Sequence, residues 1–219
     1  MKKIYWLLIF LSLIFSACST HQKKILVYSN SDLQLDDSHK NIIVKEGNTQ
    51  IEKELIFNGS DPIELNVTGP QGSSYKLEAT EDGYYLANLK ADTVVGSMQH
   101  TGHSQQTRIT QEMLKIQLDS LNKLVRGENI STDAKNYFIP PGKIVKISPF
   151  TSIKVFGPFT TIPSDFDAGS VTEIYKFYNL SEVNKIIGKL TEMSKYKYEK
   201  GEEPGPESDT VVTIHPTKK

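Results

Sequence analysis

Residues 49–80 read "TQIEKELIFNGSDPIELNVTGPQGSSYKLEAT". Apolar side chains fall on alternate positions in three successive runs. Ile51, Leu55 and Phe57 come first, with Lys53 between. Ile63, Leu65 and Val67 follow, set against Glu64, Asn66 and Thr68, then Tyr75, Leu77 and Ala79. Successive side chains of a strand point to opposite faces, so this pattern spells strands with one dry face and one wet face. Asn58-Gly59 and Gly69-Pro70-Gln71-Gly72 supply the turns between them. Upstream, "KILVYSN" (24–30) and "NIIVKEG" (41–47) are β-branched runs ended by turn residues. Downstream, "GYYLANLKADTVVGSMQ" (83–99) can supply two more strands after Asp82-Gly83. Strands at this spacing predict an antiparallel sandwich or barrel.

The period then changes. In "TRITQEMLKIQLDSLNKLVR" (107–126), Leu114, Leu118, Leu121 and Val125 recur at helical spacing, joined by Met113 and Leu124. Thr107 or Thr110 can cap the start and Gly127 suits the end. Strand patterns return in "YFIPPGKIVKIS", "SIKVFGPFTTIP" and "VTEIYKFYN". A second helix follows, capped by Ser181, with Val183, Ile186, Ile187, Leu190 and Met193 on one stripe that implies burial against a sheet. The expected class is α+β: mainly antiparallel β, sandwich or barrel-like, with two amphipathic helices. The expected units are an all-β part over 25–105 and a helix plus β-β-β-α part over 106–198. Residues 199–219, rich in Pro, Gly and charge, read as a disordered tail. A last strand over 211–214 is not expected.

The first seventeen residues, "MKKIYWLLIFLSLIFSA", have the parts of an export signal: Lys2 and Lys3, an apolar run over 4–15, then the small pair Ser16-Ala17. Twelve residues at ~1.5 Å each reach roughly 18 Å, short of a hydrocarbon core of about 30 Å, so the run does not read as a membrane span. Phe15-Ser16-Ala17-Cys18 resembles the bacterial lipobox, commonly Leu-Ala/Ser-Gly/Ala-Cys, with Phe15 in place of the usual Leu. The resemblance covers the leader alone. It implies a diacylglyceryl group on the Cys18 thiol, cleavage before Cys18, a signal peptide over 1–17 and a tether over 18–24. Ordinary cleavage after Ser19 is the alternative. By resemblance to proteobacterial lipoproteins, Ser19 after the cysteine permits travel to the outer membrane. The "SACS" ending looks like Bacteroidetes-type leaders. In those, surface export tends to follow an acidic cluster after the cysteine, and residues 19–24 hold no acid. The expectation is an anchor in the outer membrane facing the periplasm.

The chain of 219 residues has 25 basic and 26 acidic side chains. The leader takes two lysines and no acids, so a mature chain carries 23 and 26, a net charge of −3. That argues against non-specific nucleic-acid binding. With the one cysteine lipidated, structural disulfides, a Cys-based zinc site and a cysteine nucleophile are excluded.

His100-Thr101-Gly102-His103 is the sharpest polar cluster. Two imidazoles three apart can share a metal, but Thr-Gly and the flanking Ser104-Gln105-Gln106 read as loop, and no further ligand has a motif. No nucleophile elbow is present, and Ser31, Ser60 and Ser181 read as turn and cap residues. Paired carboxylates at Asp36-Asp37, Glu81-Asp82, Asp165 and Asp167 could serve glycoside hydrolysis but read as solvated surface. There is no calcium loop, phosphate cradle or dinucleotide fingerprint, so no cofactor is expected. Aromatic side chains concentrate at Tyr84-Tyr85, Phe150, Phe156, Phe159, Phe166, Tyr175, Phe177 and Tyr178. They can serve glycan or peptide binding, although half should face a core. Tyr196-Lys197-Tyr198-Glu199-Lys200 reads as a fraying helix end.

Glu81, Gly83 and Tyr85 match the tyrosine-corner pattern of immunoglobulin-like sandwiches, against the plainer reading of an Asp-Gly hairpin turn. Asp92-Thr93-Val94, Asp119-Ser120-Leu121 and Asp209-Thr210-Val211 resemble the O-glycosylation triplet of Bacteroidetes-type envelopes. The expected function is a non-enzymatic, lipid-anchored envelope protein that contacts membrane lipid through Cys18 and binds an envelope protein or glycan, with no nucleic acid. The alternatives are an envelope hydrolase and an immunity or inhibitor-type lipoprotein.

Overall fold

The structure, a computed structural model, describes residues 21–99, 110–128, 130–131, 133–163 and 173–195. In chain order the elements are β1 (Gln22–Ser29), β2 (Leu33–Leu35), β3 (Asn41–Val44), β4 (Ile51–Asn58), β5 (Ile63–Thr68), β6 (Ser74–Ala79), β7 (Gly83–Asn88) and β8 (Val94–Gln99). Helix α1 (Gln111–Val125) comes next, then β9 (Asn136–Ile139), β10 (Lys143–Ser148), β11 (Lys154–Phe156), β12 (Ile174–Asn179) and helix α2 (Leu180–Lys195). The fold is α+β and mostly β. Among the described residues no sheet closes into a barrel, and no helix is long and apolar enough to cross a membrane.

Three four-stranded sheets carry the body. The central sheet has the order β10-β7-β1-β4, an outer sheet β2-β3-β5-β6, and a third β11-β12-β8-β9. Each contains one parallel pair (β1 with β7, β3 with β5, β11 with β12), so the sheets are mixed rather than purely antiparallel. The cause is strand migration. After β3 the chain leaves the outer sheet to place β4 beside β1, then returns as β5 parallel to β3, the excursion supplying the crossover that a parallel pair needs.

The faces of β1 explain the stacking. Ile25 and Val27 share one core with Ile42, Leu55, Leu65, Val67 and Leu77, between the central and outer sheets. Leu26 and Tyr28 point the other way, into a core with Tyr84, Leu86, Tyr137, Tyr175 and Phe177. A strand buried on both faces has no wet side, which is why "ILVYS" lacks the alternation of β5. Aromatic rings set the second core: Tyr28 and Phe177 meet edge-on at 6.4 Å, and Tyr137 and Tyr175 at 5.9 Å. Val95, on the opposite face of β8, joins Leu121, Leu124 and Val183 in a third core under the two helices.

Helix α1 starts where Thr110 caps it, its hydroxyl accepting the Met113 amide at 3.1 Å, and Gly127 follows its end with φ 69°. Leu114, Leu121 and Leu124 are buried as expected, while Met113 is 45 % exposed. Ser181 does not cap α2. The helix begins at Leu180 directly after β12, and the Glu182 carboxylate accepts the Asn179 amide at 3.0 Å in its place. Met193 likewise stays exposed at the far end of the stripe.

Three boundaries differ from expectation. β1 begins at Gln22, so 22–24 belong to the strand and not to the tether. The parts expected on either side of residues 105 and 106 exchange strands: β10 sits in the sheet of β1, β4 and β7, and β8 in that of β9, β11 and β12. The short strand β2, too brief to show a period, pairs with β3.

Candidate functional site

Cys18, His100 and His103 lie outside the described residues, as do Asp165, Phe166, Asp167, residues 196–219 and the triplet Asp209-Thr210-Val211. Among the described residues no group of three or more His, Cys, Asp or Glu side chains is placed to hold a metal ion. Asp36 is a turn residue. Its carboxylate accepts the Ser38 hydroxyl (2.7 Å), the Lys40 amide (2.9 Å) and the Asn41 amide (3.1 Å). The Ser38 bond, followed by the Asn41 amide, holds its carboxyl at a pKa of about 2. Ser31 donates to the Gly47 carbonyl at 3.1 Å, and Ser60 lends its carbonyl to Lys23. Val94 and Leu121, the apolar members of two glycosylation triplets, are core residues. Of the aromatic residues, Tyr84, Tyr85, Tyr175 and Phe177 are buried because β7 and β12 are covered on both faces, and Phe156 is buried at the end of β11. Phe159 and Tyr178 are half-buried, and Phe150 is 53 % exposed.

The Asp82-Gly83 turn is not a hairpin. It carries the chain from the outer sheet (β6) to the central sheet (β7). The tyrosine corner forms there: the Tyr85 hydroxyl donates to the Glu81 carbonyl at 2.8 Å and accepts the Glu81 amide at 3.1 Å.

Polar chemistry gathers instead in three clusters, each built around a buried charged side chain. At the start of β1 the Lys23 side chain is fully buried, and its ammonium donates to the Gly59 carbonyl (3.0 Å), the Ser60 carbonyl (3.2 Å) and Asp82 (3.3 Å). The His21 ring meets the other Asp82 oxygen at 2.5 Å, and that bond, with Lys23, holds the Asp82 carboxyl below its ordinary pKa. In the second cluster Glu173, 9 % exposed, pairs with Lys135 and accepts from Ser148 (2.7 Å) and Tyr175 (2.8 Å). Desolvation pushes its carboxyl up, but the three hydrogen bonds outweigh this and hold it below the usual range.

The third cluster lies towards the other end of β1. Glu52, paired with Tyr28 across β4 and β1, accepts the Phe159 amide (2.9 Å) and the Thr160 hydroxyl (2.6 Å), which pins residues 157–160. Lys176 completes the clamp, donating to the carbonyls of Gly157 (2.6 Å) and Thr160 (2.5 Å). Lys90, 2 % exposed, stands 5.0 Å from the Phe159 ring centre, and its Nζ has no hydrogen-bond partner; neither does Tyr28 Oη nor Asn179 Oδ1. Desolvation pushes the Lys90 ammonium below its ordinary pKa, against the opposing pull of Asp92, Glu182 and Glu52. These groups leave one donor, one acceptor and one hydroxyl unused.

The two lysines predict opposite outcomes. Lys90→Met removes a buried amine that lacks a hydrogen-bond partner and raises the unfolding free energy by about 1–2 kcal/mol. Lys176→Met strips the buried Gly157 carbonyl and the partly buried Thr160 carbonyl of their donor and lowers it by a similar amount. Urea unfolding at neutral pH reads both, and a destabilised Lys90→Met chain would show that its amine is offset by a group other than the ring.

No family model matches the chain, and no curated protein or solved structure is similar to it. The three clusters were missed in the sequence, where their signal is a charge set inside an apolar run: Lys23 and Lys24 before "ILVYS", and Glu173 and Lys176 around "EIYKFYN".

Proposed function

We propose that the chain is a lipid-anchored envelope protein, held to a membrane through Cys18, whose body is a binding or structural module rather than an enzyme. The observation that carries this reading is the lone cysteine: small residues precede it, and β1 begins only four positions later. A body that starts so soon after the acylated residue is held close to the bilayer, and two or more acyl chains make such an anchor stable. Support for the non-catalytic part is that Glu173, Glu52, Asp36 and Asp82 each accept hydrogen bonds that fix the fold around them. The partner class remains an envelope protein or glycan.

Labelling cells with radioactive palmitate tests the anchor. The mature chain should take up label and enter the detergent phase, and Cys18→Ser should abolish both. Unlabelled chain with a free thiol in the aqueous fraction would overturn the reading. Incubating the chain with ester, glycoside and envelope-polymer substrates tests the second part; turnover lost on one Asp, Ser or His substitution would make it an enzyme.

A further inference from the structure

Resting on the Cys18 anchor, we infer that the edge of the body formed by the start of β1, the Glu81–Gly83 turn and Phe150 docks on the lipid bilayer, with the Phe150 ring in the headgroup region.

Chain length sets the first constraint. Four residue steps separate Cys18 from Gln22, and at ~3.3–3.6 Å each they span about 14 Å at most. The edge of the body that meets the membrane is therefore the one holding Gln22.

Sheet register identifies that edge. Lys23 pairs with Gly83 of β7, and Gln22 with Asn58 of β4. β10 runs antiparallel to β7 and ends at Ser148, opposite Tyr84. A Cβ built on Gly83 would stand 2.3 Å from the Ser148 carbonyl oxygen and 3.3 Å from Pro149 Cα, so residues 148–149 lie against the turn. Phe150 is the next residue. β10 lies two strand spacings of ~4.8 Å from β1, about 10 Å, so its Ser148 end, with Phe150 two residues beyond, and the start of β1 lie on one edge of the sheet.

That edge suits an interface. Phe150, at 53 %, has the greatest exposure among the large hydrophobic side chains described, and Ile56, paired with Lys24 near the same end, is 48 % exposed. Apolar side chains that water leaves uncovered gain by entering the headgroup boundary. Two acids of the edge are compensated, Glu81 by Lys146 at 2.6 Å and Asp82 by His21 and Lys23, while Asp61, in the loop after Asn58, stays exposed. Paired acids do not repel an anionic leaflet as free ones do. At ~3.3 Å per residue, the eight residues of β1 then carry its other end about 23 Å from the membrane, so Tyr28, Glu52 and the segment they hold face away from the lipid.

The test uses tryptophan as a depth probe. The chain has one Trp, at position 6 in the leader, so the processed chain has none. Full-length Phe150→Trp and Lys143→Trp chains, the latter at the opposite end of β10, are expressed in cells, purified as lipidated protein and placed in phosphatidylethanolamine–phosphatidylglycerol vesicles carrying lipids brominated high on the acyl chain. Phe150→Trp should lose at least half its emission relative to unbrominated vesicles, and Lys143→Trp should be unchanged. A Phe150→Trp chain that floats with the vesicles unquenched, or equal quenching of the two, overturns the docking edge and leaves the anchor standing. A chain that neither takes up palmitate nor floats overturns both.

Discussion

Glu173→Ala lowers the unfolding free energy by about 3 kcal/mol, equivalent to roughly 6–12 °C in Tm for a chain of this size. The wild-type carboxylate accepts from Ser148 and Tyr175, both buried, and pairs with Lys135. Alanine leaves two buried hydroxyls without an acceptor and a lysine facing apolar surface. Lys135 is 36 % exposed and recovers part of its hydration, which keeps the loss at the low end of the range for a broken buried pair. Glu173→Gln keeps an acceptor oxygen and should recover about half the loss.

The pH dependence has a definite sign. The folded carboxyl titrates below its ordinary value of 4.5, so its contribution is present in full above that value and is lost as pH falls through the lower folded value. Urea unfolding of wild type should therefore lose midpoint as pH falls below about 4.5, and Glu173→Gln should lose less over that span. A Glu173→Ala midpoint within experimental error of wild type at pH 7 would show that the cluster does not hold β10 and β12 in place.

Gly83→Ala is the second large effect, a loss of about 4 kcal/mol. Two causes add. The residue has φ 138°, a backbone region that L side chains rarely occupy, and the added methyl would stand 2.3 Å from the Ser148 carbonyl oxygen and 2.9 Å from Lys146 Cε. The lysine end can move, but the backbone carbonyl is held by β10. Gly59→Ala separates the causes. That glycine has φ 117° with nothing within 4 Å of an added Cβ, so it carries strain without the clash and should lose about 1–2 kcal/mol. The Gly83 variant should also become sensitive to proteolysis near Pro149, because the clash pushes β10 off β7. Equal losses at the two glycines would remove the contact from the explanation.

Local order was readable wherever one face of an element is wet. β4, β5 and β6 alternate because their outer faces meet solvent, and the α1 stripe, its Thr110 cap and Gly127 follow from helical spacing and the backbone groups left open at helix ends. The strands beyond residue 130 were located from their β-branched and aromatic runs, with turns such as Pro140-Pro141-Gly142 between them. Where both faces are covered the period disappears, and with it the information on which side meets which neighbour. β1, β7 and β12 could be read as strands but not assigned to a sheet. The Glu81–Tyr85 corner was visible as a pattern, but only its hydrogen bonds separate it from a hairpin turn.

The amino-acid order thus specified the apolar N-terminal run with the single cysteine after it, the strand and helix segments, and the change of period near residue 107, because each depends on near neighbours along the chain. Sheet membership, the parallel pairs, the sites of Lys23, Lys90, Glu173 and Lys176, and the edge that holds Gln22 beside Phe150 came from the folded chain. The partners of the Glu173 carboxylate include Lys135 and Ser148, far away in sequence, and no local pattern encodes where such partners stand.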